Sequence, residues 1–145
     1  MWRVVHCDGD PRRSFEVERS ELAKADAQLV LAGARSEDEL IEAAREADGL
    51  LVIFRPITAR VVDALTRCRV IARYGVGVDN VDLAAATTRG IVVANVPDYC
   101  LQEVSNHAIL FVLACAKRLV PLNNAAKSGG TAFFDLMPPK ALAAM

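Results

Sequence analysis

Along the first hundred residues, short apolar runs alternate with segments of helical periodicity. Residues 3–7 read as a first strand, stopped by the turn cluster Asp8-Gly9-Asp10-Pro11. A polar helix is predicted over 15–25 and a second strand over 28–32, ended by Gly33. Ser36-Glu37-Asp38-Glu39 has the form of a capping box, with Ser36 accepting from the Glu39 amide and the Glu39 carboxylate reaching back to the Ser36 amide. The helix that follows carries Leu40, Ala43, Ala44 and Ala47 on one face, and Gly49 is read as ending it. Residues 49–54 are apolar without alternation, as expected of a strand covered on both faces. Thr58 is placed to cap a helix through 65, residues 70–74 form the next strand, 82–89 the next helix, and 91–94 the fifth strand.

Five strands joined by short helical connections imply a parallel sheet with helices on both faces. The fold class is therefore α/β: a flavodoxin-like, doubly wound, five-stranded sheet over residues 1–100. After Val96-Pro97 the character changes. A helix is predicted over 103–119, and its middle, Ala108 to Ala116, is a run of nine apolar residues without a polar face. Such a helix must be covered on all sides. Residues 101–121 are read as a hinge helix and 122–145 as a divergent tail containing Ser128-Gly129-Gly130 and Pro138-Pro139.

Composition narrows the function classes. A net charge of −1, with Lys and Arg scattered, leaves no electrostatic footprint for nucleic acid or an anionic membrane. The nine-residue apolar run falls short of the ~20 residues that a membrane span needs. Cys7, Cys68, Cys100 and Cys115 form no CxxC pair, so a zinc site is not expected. Buried, reduced thiols in a cytoplasmic protein are the expectation.

The strongest chemical signal is Arg73-Tyr74-Gly75-Val76-Gly77-Val78-Asp79-Asn80. It joins the fourth strand to its helix, at the carboxyl edge where open α/β sheets bind ligands. Glycines 75 and 77 let the backbone turn so that the amides of Val76 and Gly77 face one point. Such a nest favours an anion, and Arg73 can grip a carboxylate in bidentate fashion. Arg55, at the end of the third strand, arrives at the same edge. Two other readings stand beside this one. A purely structural turn is one; a dinucleotide fingerprint is the other, although Asn80 stands where its third glycine belongs. His107 is read as a helix-packing residue, and His6-Cys7 as a chance pair on a central strand. The Asp8/Asp10 pair suggests a phospho-acceptor domain, but Phe54-Arg55 and Asn95-Val96 occupy the places where its Asp and Lys would stand.

Residues 49–58, 70–82, 90–97 and 103–119 together resemble the D-isomer-specific 2-hydroxyacid dehydrogenases, in their 3-phosphoglycerate dehydrogenase and C-terminal-binding-protein branches. The resemblance implies that the Val76 and Gly77 amides hold a substrate carboxylate, with Arg73, and Arg55 as a second candidate, on its other oxygens. It implies that Val104 meets the nicotinamide of NAD. Relatives continue into a GxGxxG nucleotide-binding domain that supplies the catalytic Arg, Glu and His. Only five residues follow Lys140 here, so the chain is expected to be a truncated substrate-binding half, with no catalytic residue and no tight NAD binding.

The expected ligand is a small 2-hydroxy or 2-oxo acid. The expected partner is a second copy, as a homodimer or swapped oligomer through the 103–119 helix. A non-catalytic carboxylate-binding or dimerisation module is the alternative reading.

Overall fold

The computed structural model describes residues 1–129, in two units, Met1–Tyr99 and a second beginning at Cys100. Expectations placed on residues 130–145, including Pro138-Pro139, lie outside the described residues.

The first unit is built from β1 (Trp2–His6), α1 (Glu16–Lys24), β2 (Ala27–Leu31), α2 (Glu37–Ala44), β3 (Gly49–Val52), α3 (Ala59–Ala64), β4 (Val70–Arg73), α4 (Leu83–Thr88) and β5 (Val92–Ala94). All strands are parallel, in the order β2-β1-β3-β4-β5. This is the flavodoxin-like arrangement predicted from the alternation of elements. From β1 the chain first moves outward to β2, then crosses back to β3 and continues to β5 in the other direction. Right-handed crossovers therefore set α1 on one face and α2, α3 and α4 on the other, where α2 packs on α3 and α3 on α4.

The core follows that division. Val5, Leu50, Val52 and Ile71 from the strands meet Leu40 and Ala44 of α2 and Val61 and Val62 of α3, all essentially without solvent contact. Helix α1, by contrast, buries no residue. Under it, His6 packs edge-on against Phe15, with ring centroids 5.0 Å apart, and against Tyr74 at 5.5 Å. Burial lowers the His6 pKa, against the opposing pull of Asp8 and Glu18. Burial likewise pushes the Cys7 thiol up to about 12, so it is inert rather than nucleophilic. All four cysteines are free, but the expected burial holds only for Cys7: Cys68 and Cys100 are partly exposed and Cys115 is exposed.

Several local expectations are corrected. Ser36 does accept from the Glu39 amide at 3.2 Å, but the Glu39 carboxylate accepts from the Arg35 amide at 2.7 Å rather than from Ser36. Gly49 does not end α2; it opens β3, where it pairs with Val4 and Val70. A Cβ there would press on a Val70 methyl at 3.2 Å, so glycine serves the sheet, not the helix end. The third strand stops at Val52 rather than 54 because the next three amides leave the ladder. Those of Ile53, Phe54 and Arg55 all donate to the Asp8 carboxylate, at 2.7, 3.1 and 2.9 Å.

In the second unit, the predicted single helix over 103–119 is two helices, α5 (Leu101–Ala116) and α6 (Leu119–Lys127). Arg118 breaks them apart in the left-handed conformation, φ 51°, and the axes bend by 59°. Pro121 sits in the first turn of α6, where a helix does not need its N–H. The first residues of the divergent tail, 122–127, continue this helix. No side chain of α5 is buried, and Ile109, Leu110, Phe111, Val112 and Leu113 are 44 to 64% exposed. Among the described residues no single helix is long and apolar enough to cross a membrane.

At the amino edge of the sheet the buried Asp48 carboxylate ties β1 to β3. It accepts from the Arg3 amide at 2.8 Å and from the Arg67 guanidinium at 2.8 to 3.1 Å. The Arg3 amide first, and Arg67 second, hold its pKa below the ordinary value. A carboxyl depressed in the folded state stabilises fully above its unfolded pKa, about 3.9, and loses that contribution as pH falls through the folded value. Asp48→Asn should lower stability at pH 7 by about 1.5–3 kcal/mol, the scale of hydrogen bonds to a charged group. Urea unfolding at pH 7 and pH 3 should show this deficit shrinking in acid, and a deficit that is equal at both would contradict the assignment.

Candidate functional site

The loop after β4 is positioned by what it is tied to. Ile57, from the loop after β3, donates its amide to the Asn80 carbonyl at 2.7 Å, and its carbonyl accepts from the Asp82 amide at 2.8 Å. The Asn80 side chain donates to the Arg55 carbonyl at 2.9 Å and to that of Ile53 at 3.4 Å. Asn80 thus works as a strut between two loops, which is why the third glycine of a dinucleotide fingerprint is absent: the position needs an amide side chain. On the far side, the Asn95 side chain donates to the Val76 carbonyl at 2.7 Å, and Val96 donates its amide to the Gly75 carbonyl at 3.0 Å. With its carbonyl held by Asn95, the Val76–Gly77 peptide turns its N–H the opposite way.

Within this frame the amides of Val76 and Gly77 have no acceptor among the described residues, and both residues are exposed. Gly75 is buried beneath the Arg73 side chain. A Cβ on Gly75 would coincide with the Arg73 guanidinium, so only glycine lets that group lie across the loop. The Arg73 Nε is buried and has no acceptor among the described residues. The two outward-facing amides can receive an anion, with the guanidinium laid over Gly75 supplying positive charge in the same loop.

Three of the four residues expected to bind substrate, Arg73, Val76 and Gly77, therefore share one loop. Arg55 does not join them through its side chain. Its guanidinium donates to the Ala34 carbonyl, toward the loop after β2, and only its backbone carbonyl is linked to the β4 loop through Asn80. The pull comes from a buried carbonyl at the start of the β2–α2 connection, which sequence position does not reveal. Val104, the residue expected to meet nicotinamide, lies in the first turn of α5 in the second unit and is 60% exposed.

Asp8 and Asp10, a suggestive acidic pair in sequence, are spent structurally. Asp8 caps the amides after β3, and Asp10 binds Arg12 in a fork at 2.7 to 3.1 Å, which lowers its pKa to about 2. His107 lies edge-on to Phe111, ring centroids 4.4 Å apart, one turn along α5. Among the described residues no group of three or more metal-ligating side chains converges.

Fold and loop together define an open, parallel α/β domain with a turn at the carboxyl edge of its sheet whose Val76 and Gly77 amides have no acceptor among the described residues. The sequence matches the family described as D-isomer specific 2-hydroxyacid dehydrogenase, catalytic domain, over residues 12–137, and the chain belongs to that family. It is 34% identical over 108 residues to a glyoxylate reductase of Thermococcus onnurineus, an alignment covering 70% of this chain and 32% of the relative. It is 41% identical over 83 residues to a D-3-phosphoglycerate dehydrogenase of Mycobacterium bovis, covering 57% of this chain and 16% of the relative. The structure of NAD+-bound 3-phosphoglycerate dehydrogenase from Entamoeba histolytica superposes with a TM-score of 0.59 at 29% identity, over 65% of this chain and 32% of that one. The chain thus spans about a third or less of the length of these relatives.

Gly75→Ala should displace the Arg73 guanidinium while leaving the fold in place. The expected outcome is a native far-UV circular dichroism spectrum with anion affinity reduced to that of Arg73→Ala. Wild-type affinity with a native spectrum would contradict the assigned geometry.

Proposed function

We propose that this chain is the substrate-binding part of an NAD-dependent D-2-hydroxyacid dehydrogenase, and that the loop from Arg73 to Asn80 holds the carboxylate of a 2-hydroxy or 2-oxo acid. The observation that carries the reading is the Arg73 guanidinium laid across Gly75, beside the unbonded amides of Val76 and Gly77. Family membership supplies the chemistry, hydride exchange between a 2-hydroxy acid and NAD. In that reaction this loop binds and orients the acid. Asn95 and Asn80 keep it rigid, so that little ordering is left to be done when the acid binds.

The arrangement of the β4 loop favours acid binding over a dinucleotide fingerprint. The β4 loop holds Asn80 where close packing against a pyrophosphate-binding helix calls for glycine, and that side chain is committed to Ile53 and Arg55. Val104 offers an exposed apolar surface and no polar group. The role the proposal gives to this loop is acid binding. The alternative of a non-catalytic carboxylate-binding module shares the same loop and differs only in lacking turnover.

The exposed apolar face of α5 supports a second part of the proposal. Burial of each large apolar side chain is worth about 1.5–3 kcal/mol, so Ile109 to Leu113 call for cover, which a second copy supplies by pairing or exchanging this helix. Light scattering should report a dimer or larger, and Ile109→Glu with Phe111→Glu should give a folded monomer. A wild-type monomer whose α5 amides exchange as if in water would remove this part of the proposal.

Acid binding is tested by calorimetric titration with glyoxylate and 2-oxobutyrate. A charge-assisted contact contributes about 1.5–3 kcal/mol, so Arg73→Ala should weaken binding by roughly 10- to 150-fold. Affinity that is the same in wild type and Arg73→Ala, or no saturable binding to wild type, would refute the carboxylate reading.

A further inference from the structure

At the carboxyl end of β1 lies a polar group enclosed by the fold, the imidazole of His6, which is 1% exposed. Its Nδ1 accepts from the Asp8 amide at 3.2 Å, so the neutral ring carries its proton on Nε2. That N–H has no acceptor among the described residues. Asp8 follows His6 on its own strand, Glu18 acts on it from α1, and Tyr74 lies against the ring from the end of β4. Phe15, just before α1, meets the ring edge-on, and the neighbouring positions Leu31 of β2 and Leu51 of β3 are apolar. Neither carboxylate bonds to the imidazole. That of Asp8 accepts from the amides of Ile53, Phe54 and Arg55, and that of Glu18 accepts from the Tyr74 hydroxyl at 3.3 Å.

Two partners of this ring lead to the Arg73 loop. Tyr74 stands between Arg73 and Gly75 in the chain, and its ring is clamped between His6 and Glu18. Burial first, and Glu18 second, push its phenol up to about 12, so the clamp itself does not titrate near neutral pH. Asp8, whose amide the imidazole accepts, holds the loop after β3, which Asn80 ties to the loop after β4. A second proton on His6 would have to enter at Nδ1 and turn that acceptor into a donor facing the Asp8 N–H. The bond would be lost, and a cation would be left buried without an acceptor. We propose that His6 is a positioning residue for the Arg73 loop, which holds its acid well only while the imidazole is neutral. This rests on the carboxylate reading of that loop. Burial lowers the His6 pKa, so the stability it contributes is present above the unfolded value, about 6.5, and is lost as pH falls from there to the folded value. Linkage is reciprocal, so an acid that requires neutral His6 lowers its pKa further on binding. A direct attraction between the bound carboxylate and an imidazolium would raise it instead.

The test is a nuclear magnetic resonance pH titration of the isotope-labelled chain, following the His6 imidazole and the amides of 75–77, with and without 2-oxobutyrate. Those amides should shift with the His6 midpoint, and the acid should bind about fivefold or more weakly below it. Saturation with the acid should lower the midpoint. His6→Asn keeps a side-chain acceptor for the Asp8 amide and carries no titrating proton. It should bind 2-oxobutyrate as wild type does at neutral pH and keep that affinity in acid. Tyr74→Ala, at a partly exposed position, provides a second variant that leaves the core intact: the shifts at 75–77 should shrink while His6 still titrates. A midpoint raised by bound acid, or the same pH dependence in His6→Asn, would overturn the proposal, as would unfolding before His6 titrates. If 75–77 follow His6 but 2-oxobutyrate does not bind there, the carboxylate reading fails and this role with it. If the acid binds at 75–77 with an affinity unchanged through the midpoint, the positioning role alone is refuted.

Discussion

The carboxyl edge of this sheet depends on one tie, the side-chain amide of Asn80 bridging the loop after β4 to the carbonyls of the loop after β3. Parallel strands leave the ends of neighbouring connections side by side but do not join them. Here Asn80, with the backbone exchange between Ile57 and Asp82, turns two exposed connections into one rigid ledge. On that ledge the Arg73 side chain can fold back over Gly75, and the amides of Val76 and Gly77 stay turned outward. A loop free to collapse would satisfy those amides internally, because unpaired backbone donors are costly to leave without water or a partner.

Carboxylates at both edges of the sheet serve structure. Asp48 joins β1 to β3 at the amino edge, and Asp8 gathers three amides after β3 at the carboxyl edge. Asp10 holds Arg12. Arg13 and Arg35 keep side chains without an acceptor among the described residues at that edge, while the Asp79 carboxylate lies beside Gly77 in the loop.

The order and type of elements were legible in the sequence because burial is patterned. Residues 49–52 are apolar without alternation because helices and neighbouring strands cover β3, and Thr58 and Asp82 announce helix starts through side chains that cap them. The glycine-bearing turn from Arg73 to Gly77 follows β4 where the sequence places it, and Gly75 is the position over which the Arg73 side chain lies. Sequence is less informative where long-range partners decide. Arg55 is a second candidate beside Arg73 in sequence, and the Ala34 carbonyl, 21 residues away, takes a donor of its guanidinium. The break at Arg118 lies in a stretch with no glycine, and the proline that follows sits where a first helical turn tolerates it, so no local signal marked the bend. Asn80 was seen only as a missing glycine, although that departure was itself the signal of the strut.

The proposed role of the Arg73 loop is to grip a carboxylate. The most direct measurement is a crystal structure of the chain with oxamate, an unreactive analogue of a 2-oxo acid. The account predicts its carboxylate within hydrogen-bonding distance, ~3 Å, of the Val76 and Gly77 amides, with the Arg73 guanidinium on the same group. Oxamate ordered elsewhere, or bound with Arg73 turned away from it, would contradict the account.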